Sequence, residues 1–256
     1  MDFEIFVTRG LGDNSYLVSA GKEAFVVDPQ RDAWRFLEAA RKKNLEITHV
    51  FETHVHNDYI SGALEIKKQT DAEIIVPKIG KYEFDHHGVS NGDKITIGDY
   101  IVETMASPGH TYEHTSWIVK NSSDKELSIF SGGSLIVGSA GRTDLLGHDH
   151  VEPLTHHQFE TLQKYHKLDD DIQILPTHGS GSFCTSSNAS QVKITSIGNE
   201  KKYNLAFQAS SYNVFRHTMQ QIWEIACVRK TTWEKCYEKN FAHCFVTLTC
   251  LQFTKR

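Results

Sequence analysis

The sequence predicts an α/β (α+β) protein in which helices cover a β-sheet core. Short apolar runs recur through residues 1–180, and turns that contain Gly or Pro separate most of them. Segments with apolar residues at helical spacing lie between several of these runs. Helices that recur between strands indicate a layered sheet domain.

The individual elements follow from local patterns. Residues 32–43 place Trp34, Leu37 and Ala40 on one face and end in basic residues, which predicts an amphipathic helix. Further helices are predicted at 61–69 and 160–167. Strands are predicted, in chain order, at 3–8, 15–19, 24–28, 47–52, 73–76, 94–104 (a hairpin), 115–120, 127–130 and 172–175.

The composition is that of a folded globular protein. The chain has 256 residues, of which 39% are hydrophobic and 23% charged, and its formal net charge is −5. This profile excludes disordered, collagen-like and coiled-coil chains, and no apolar run approaches the ~20 residues that a membrane helix needs. We therefore expect neither a membrane partner nor, given the acidic total, a nucleic-acid partner. The acidic start argues against a signal peptide, and five unevenly spaced cysteines indicate reduced thiols and a cytoplasmic location.

A change of composition divides the chain into two parts. Gly and Pro are absent after Gly198, and residues 222–256 carry a charge of +3 from six Lys/Arg and three Asp/Glu. The sequence therefore predicts one domain over residues 1–221 and a C-terminal tail over 222–256 that is truncated or altered. A helix at 220–239 and a strand-prone run at 244–253 are predicted within this end.

The most informative motif is THVHNDY at residues 53–59, which follows an apolar strand and precedes a helix. His54 and His56 are two residues apart in a loop, so both imidazoles can converge on one metal ion, and Asp58 adds a carboxylate. Histidine is the commonest metal ligand in proteins. The spacing therefore predicts a metal site at the end of this strand.

Two further strands end in histidine-bearing turns. The segment SPGHT at 107–111 presents His110, and PTHG at 176–179 presents His178. Three such turns at strand ends predict one shared site at one edge of the sheet. His114, four residues after His110, is expected to be solvated or to support a ligand. Cys184 has no neighbour in sequence that would lower its thiol pKa, so a nucleophilic role is not expected.

These residues resemble the metallo-β-lactamase superfamily, in which an HxHxDH motif, a later His, an Asp and a last His bind one or two metal ions. The segments ETHVHNDYISG at 52–62 and GRTD at 141–144 are most similar to the persulfide dioxygenase branch, including its fusions to rhodanese domains. Glyoxalase II, a thioester hydrolase, is a near relative. The resemblance covers about residues 3–200. It implies a four-layer αββα sandwich with the metal at one edge of the two sheets.

Two positions depart from the family pattern. Tyr59 stands where the motif has its final His, and Gly133 stands where the family has an Asp. That Asp bridges two zinc ions in the hydrolases or completes a two-His-one-carboxylate iron site in the dioxygenases. Glycine has no side chain that does either.

The remaining residues predict one metal ion, zinc or iron(II). His54, His56 and His110 form a three-histidine set, which suits a catalytic zinc with an open position. Asp58 is the expected catalytic carboxylate, which orients the bound water or accepts its proton, and it also counts among the metal ligands. His178 is expected to be the remnant of a second metal site. For iron(II), Asp58 is the carboxylate nearest in sequence.

Three residues are expected to bind substrate. Arg142 and Asp144 either orient an anionic substrate or pair with each other, and Tyr59 fills the pocket of the lost ligand with its ring and hydroxyl. The resemblance implies a small, thiol-derived, glutathione-like substrate, and homo-oligomerisation stays open. The leading hypothesis is a persulfide dioxygenase-like enzyme. The alternatives are a zinc thioester hydrolase like glyoxalase II and a catalytically weak binding module.

Overall fold

The computed structural model describes residues 1–179, 182 and 192–228. Cys184 and the strand predicted at 244–253 lie outside the described residues. The strands are β1 (Asp2–Thr8), β2 (Asp13–Ala20), β3 (Glu23–Val27), β4 (Glu46–Phe51), β5 (Glu73–Pro77), β6 (His87–Val89), β7 (Lys94–Ile97), β8 (Tyr100–Ala106), β9 (Thr115–Asn121), β10 (Glu126–Gly132), β11 (Leu135–Ile136), β12 (Ser139–Ala140), β13 (Gln173–Pro176) and β14 (Thr195–Ser196). The helices are α1 (Trp34–Lys42), α2 (Ala63–Thr70), α3 (His148–Tyr165), α4 (Ile197–Tyr203) and α5 (Tyr212–Val228).

Two six-stranded sheets form the centre of the protein. The first has the strand order β1-β2-β3-β4-β5-β6, and the second has the order β14-β13-β10-β9-β8-β7. Within them, β3, β4, β5 and β6 pair in parallel, as do β10 and β13. The strands β11 and β12 form a separate two-stranded ribbon. Each predicted strand has an observed counterpart, because the predicted runs of apolar residues supply the buried strands of the two sheets.

Three hydrophobic clusters hold four layers together. One lies between the sheets, where Phe25 and Phe51 of the first sheet meet Trp117 and Phe130 of the second. A second cluster joins the first sheet to α1 and α2. A third joins the second sheet to α3, α4 and α5. The layers therefore follow each other as helices, sheet, sheet, helices, which confirms the predicted αββα sandwich.

The helices on the second sheet differ most from the prediction. The helix predicted at 160–167 is the last part of α3, which begins at His148 and contains Pro153. Its buried face includes Thr155, Gln158 and Thr161, so apolar spacing does not reveal it. The helix predicted at 220–239 overlaps α5, which begins earlier and continues across the predicted domain boundary at residue 221. In the described part of the chain, no helix is long and apolar enough to cross a membrane.

The residues that directly follow five of the strands lie at one edge of the sandwich. The chain leaves β3 at Asp28, β4 at Glu52, β8 at Ser107, β10 at Gly133 and β13 at Thr177. Long-range hydrogen bonds tie these ends together: Thr53 N–H and Thr177 Oγ1 both donate to the Asp28 carboxylate. The histidine-bearing turns after β4, β8 and β13 thus meet at one edge.

Candidate metal centre

Three buried histidines lie together at this edge. His54, His110 and His178 each offer one ring nitrogen, and the three nitrogens lie within 4.8 Å of one another. The ring centroids are 4.9, 5.3 and 5.4 Å apart. The residues are at most 2% exposed, so the rings face each other away from solvent. We call these three residues the histidine trio.

Hydrogen bonds fix which nitrogen of His110 and of His54 carries the proton. His110 Nδ1 lies 2.8 Å from the backbone carbonyl of Arg142, which accepts only, so Nδ1 is protonated and Nε2 has the lone pair. Thr53 Oγ1 donates to Asp28 Oδ2 at 2.7 Å and therefore accepts from His54 Nδ1 at 2.8 Å. Both histidines thus keep a lone pair on Nε2 for a metal ion.

The third ring is oriented by a carboxylate. His178 Nδ1 lies 2.9 Å from Asp13 Oδ1 and 3.5 Å from Asp58 Oδ2, and residues 13 and 178 are both fully buried. A proton on Nδ1 leaves the lone pair on Nε2, which lies 3.2 Å from His54 Nε2. Two facing lone pairs repel unless a cation lies between them. Zinc–nitrogen bonds of about 2.0–2.1 Å at tetrahedral angles separate two nitrogens by about 3.3 Å, so the separation of the His54 and His178 nitrogens fits such an ion.

Burial also keeps His54 and His110 neutral. Loss of hydration lowers the pKa of His110 to about 3, and the neighbouring His178 ring lowers it as well. The same burial, with the rings around it, holds the pKa of His54 well below its ordinary value. Imidazole binds a metal ion only in its neutral form, so these environments favour ligation near neutral pH.

His56 has a different environment from the trio. Its Nε2 lies 3.2 Å from Asp28 Oδ1 and 3.5 Å from Glu52 Oε2. Burial lowers the pKa of His56, but the two carboxylates raise it to about 10. The sequence predicts that His56 joins His54 and His110; in the structure His178 completes that group instead. A nitrogen of His56 also comes within 4.8 Å of Asp58 and His178, which gives a second potential ligand set.

Comparison with known proteins decides the family. The family model of the metallo-beta-lactamase superfamily matches residues 8–192. The chain belongs to the metallo-β-lactamase superfamily.

Relatives in this superfamily differ in their names. The protein named hydroxyacylglutathione hydrolase from Prochlorococcus marinus (strain MIT 9211) is 29% identical over 185 residues, which is 69% of this chain and 69% of that protein. A metallo-beta-lactamase from Staphylococcus aureus subsp. aureus COL superimposes with a TM-score of 0.78 at 30% identity, over 86% of this chain and 66% of that one. ETHE1 from Myxococcus xanthus gives a TM-score of 0.72 at 26% identity, over 86% and 90%. The chain thus spans about two thirds of the hydrolase and of the Staphylococcus protein.

The first departure from the superfamily pattern is Tyr59. Its ring stacks on His56 at a centroid distance of 4.3 Å, and its hydroxyl donates to the Asp28 carbonyl at 3.3 Å. Burial raises the pKa of Tyr59, so the hydroxyl stays protonated. The Tyr59 side chain therefore packs against His56 and Asp28.

The second departure is Gly133, which directly follows β10. Its N–H donates to His114 Nε2 at 3.0 Å, and His114 Nδ1 in turn donates to Ser107 Oγ at 2.8 Å. Both ring nitrogens of His114 are therefore engaged. His114 is buried and supports the Gly133 backbone, so it is not the solvated residue that was one of the two expectations.

Arg142 and Asp144 pair with each other in the structure. Arg142 Nε donates to Asp144 Oδ1 at 2.9 Å, and Arg142 Nη2 donates to Asp144 Oδ2 at 2.6 Å. The two side chains therefore form a bidentate ion pair. The backbone carbonyl of Arg142 accepts the His110 proton. Arg142 therefore orients a member of the trio through its main chain.

Sequence reasoning missed the supporting residues Asp13, Asp28 and Thr53. Asp28 is fully buried, has a φ of 49° and follows the apolar strand β3. An acidic residue directly after an apolar strand was the available signal for Asp28. Asp13 is 165 positions from its partner His178, and no local pattern reveals that contact.

Proposed function

We propose that this protein is a metal-dependent hydrolase that cleaves small thioesters and binds one zinc ion at the histidine trio. The observation that carries the proposal is the convergence of three buried imidazoles, a potential ligand set that contains no carboxylate. Such a set suits a catalytic zinc ion with an open coordination position. The relative from Prochlorococcus marinus named hydroxyacylglutathione hydrolase supports a glutathione thioester as the substrate class.

Two groups of residues have different roles at that ion: metal ligands, and residues that orient those ligands. His54, His110 and His178 hold it, and Thr53, the Arg142 carbonyl and Asp13 hold the three rings in their tautomers. When bound, zinc polarises the thioester carbonyl and lowers the pKa of a bound water to about 7.

Asp58 is the proposed proton acceptor. Burial raises the pKa of its carboxyl group, but the His178 and His56 rings hold it below the ordinary value. The group is therefore ionised at neutral pH and lies beside the trio, 3.5 Å from His178 Nδ1. Arg142 and Asp144 remain proposed substrate contacts, since a substrate carboxylate can replace that of Asp144 on the guanidinium. Tyr59 remains a proposed wall of the substrate pocket.

A second candidate function is persulfide oxidation at iron(II). The observation that favours it is the second ligand set, in which His56 and His178 join the carboxylate of Asp58. Two histidines and one carboxylate are the donor set of non-haem iron oxygenases. ETHE1 from Myxococcus xanthus is a structural neighbour at 26% identity.

Metal analysis followed by two activity assays separates the candidates. Purified protein is analysed for zinc and iron, then assayed for hydrolysis of a hydroxyacylglutathione and for oxygen uptake with glutathione persulfide. We expect one zinc per chain and thioester hydrolysis that His54→Ala abolishes, while replacement of the exposed His156 by alanine leaves it unchanged.

Other outcomes point elsewhere. Iron together with oxygen uptake would establish the dioxygenase. A metal content far below one per chain, with no effect of His54→Ala on any measured property, would establish the binding module. The cysteine pattern supports a cytoplasmic location as part of the proposal.

A further inference from the structure

His114 lies where the ends of three strands meet. It directly precedes β9, the strand between β8 and β10 in the second sheet. Its carbonyl accepts from the Ser107 N–H at 2.9 Å after β8, and its ring nitrogen Nε2 accepts from the Gly133 N–H at 3.0 Å after β10. The next residue, Thr115, donates its N–H to the Thr53 carbonyl at 2.8 Å, just after β4 of the first sheet. The start of β9 therefore ties together three of the strand ends around the histidine trio.

The His114 ring contacts one member of the trio directly and a second one through the backbone. It stacks on the His54 ring with a centroid distance of 4.9 Å and an interplanar angle of 29°. The Gly133 backbone that it holds lies beside the His110 ring. Both ring nitrogens of His114 are used in hydrogen bonds, so the ring supports these two ligands without being a ligand itself.

The third member of the trio is reached through the main chain at the end of β10. The carbonyl of Gly132, the last residue of β10, accepts from the Thr177 N–H at 3.0 Å, and Thr177 directly precedes His178. An irregularity just before Gly132 interrupts the pairing of β10 with β13, and the φ of Gly132 is 55°. Regular strand pairing therefore does not fix this turn, and the hydrogen bond from Gly133 to His114 holds it on its other side.

A buried chain of hydrogen bonds anchors the His114 ring on helix α3. Because the Gly133 N–H donates to Nε2, the proton of the neutral ring is on Nδ1 and is donated to Ser107 Oγ at 2.8 Å. Ser107 Oγ lies 2.7 Å from Ser116 Oγ, which lies 2.6 Å from the hydroxyl of Tyr165, the last residue of α3. The four residues that carry these side chains are at most 1% exposed. A buried group that loses its partner has no water to replace it, so each link constrains the next.

We propose that His114 is a positioning residue of the metal centre. Its ring holds the histidine trio in the arrangement that binds the metal ion, by stacking on one ligand and by fixing the turn after β10 beside the other two. The hydrogen-bond chain to Tyr165 in turn fixes the His114 ring. This inference rests on the metal centre of the proposed function but not on the reaction.

The test is metal binding by the full-length protein in the absence of substrate, for the wild type, His114→Gln and His114→Asn. The glutamine side chain is long enough to place its amide oxygen where Nε2 lies and to keep the bond from Gly133. The shorter asparagine side chain can replace only Nδ1 and loses that bond. Zinc affinity is measured by competition with a chromogenic chelator, and the ligand geometry by the visible absorption bands of the cobalt(II)-loaded protein. Urea unfolding of the metal-free protein measures any loss of stability separately.

The two variants should differ from each other. We expect a zinc affinity lower by about tenfold or more, together with altered cobalt bands, in His114→Asn. His114→Gln should restore the affinity and the bands to near those of the wild type. Ser107→Ala, which keeps His114 but removes the acceptor of its Nδ1 proton, should weaken zinc binding in the same direction by a smaller factor.

His166→Asn is the matched control. His166 Nε2 lies 2.6 Å from the Phe207 carbonyl, and its ring stacks on the Phe207 ring at a centroid distance of 3.9 Å. This pair lies beside the third hydrophobic cluster, to which Phe207 belongs. His166→Asn should therefore bind zinc like the wild type even where it lowers the stability of the fold.

Three results would overturn the inference. The first is wild-type zinc affinity with unchanged cobalt bands in His114→Asn. The second is an equal loss of affinity in His114→Gln and His114→Asn, and the third is a loss in His166→Asn as large as that in His114→Asn. Ser107→Ala removes a single oxygen atom and so decides the matter even if the His114 variants do not fold, since wild-type zinc affinity there would also refute the idea. Normal zinc binding without thioester hydrolysis would count only against the proposed reaction.

Discussion

Replacing Thr53 by valine removes the hydroxyl that links Asp28 to the histidine trio. This hydroxyl accepts from His54 Nδ1 at 2.8 Å and donates to Asp28 Oδ2 at 2.7 Å. Valine keeps the β-branched shape but has no polar atom. Asp28 retains the Thr53 backbone N–H, the Thr177 hydroxyl and His56, whereas His54 Nδ1 loses the acceptor found for it.

Two effects of known size follow from Thr53→Val. A buried donor left without an acceptor destabilises the folded state by about 1–3 kcal/mol. Loss of the group that orients a ligating histidine typically weakens metal binding by about 10–100-fold. That loss corresponds to about 1.4–2.7 kcal/mol of zinc-binding free energy.

Thr48→Val provides a matched control. Thr48 Oγ1 contacts Nδ1 of the next residue, His49, at the same 2.8 Å, but this pair lies away from the trio and the His49 side chain is 18% exposed. Water can replace the lost hydroxyl there, so the change in stability should stay within about 0.5 kcal/mol.

The assays are chelator competition for zinc and urea unfolding of the metal-free protein. The reasoning predicts weaker zinc binding for Thr53→Val and wild-type binding for Thr48→Val. Equal zinc affinity in both variants would refute the assignment of the His54 proton to Nδ1.

Four further predictions concern the carboxylate that orients His178, the protonation of His110, the proposed proton acceptor Asp58 and the C-terminal tail. Asp13→Ala should weaken zinc binding by about 10–100-fold, since His178 loses its carboxylate partner; an unchanged affinity in the same chelator titration would contradict this. In metal-free protein, burial lowers the folded-state pKa of His110 from 6.5 to about 3. The unfolded chain therefore binds a proton more readily than the folded one between these two pH values, so the folded state has its full stability above pH 6.5 and loses stability as the pH falls below 6.5. Urea unfolding should therefore show a decline of about 1.4 kcal/mol per pH unit for each such ring, and a flat profile from pH 7 to 5 would refute it. Asp58→Asn should lower kcat for thioester hydrolysis by about 10²–10⁴-fold with zinc still at one per chain; full activity would remove the proposed proton acceptor. Deleting residues 229–256, which keeps the whole of α5, should leave the thermal midpoint within a few degrees of the wild type, and a large decrease would show that the domain needs its tail.

The sequence predicted the location of the site better than its ligand arrangement. Apolar strands that end in THVH, SPGH and PTHG carry a local signal, because the strand brings each turn to the sheet edge. Which ring joins the trio depends on contacts between residues far apart in the chain. His178 is held by Asp13 and faces His54, 165 and 124 positions away, and no periodicity encodes either distance.

The fold shows the same division between local and distant causes. The two sheets were predictable because their strands are short apolar runs bounded by turns, while the start of α3 was not. That helix buries polar residues such as Gln158, whose side chain donates to the Ser134 carbonyl at 2.9 Å. A buried amide that satisfies a distant backbone group looks like a surface residue in the sequence.

The most direct test of the central claim is anomalous scattering from a crystal grown with zinc, recorded at the zinc and iron edges. The account predicts one zinc peak about 2.1 Å from the Nε2 atoms of His54, His110 and His178. A peak among His56, Asp58 and His178, or two peaks in one site, would contradict the proposed centre.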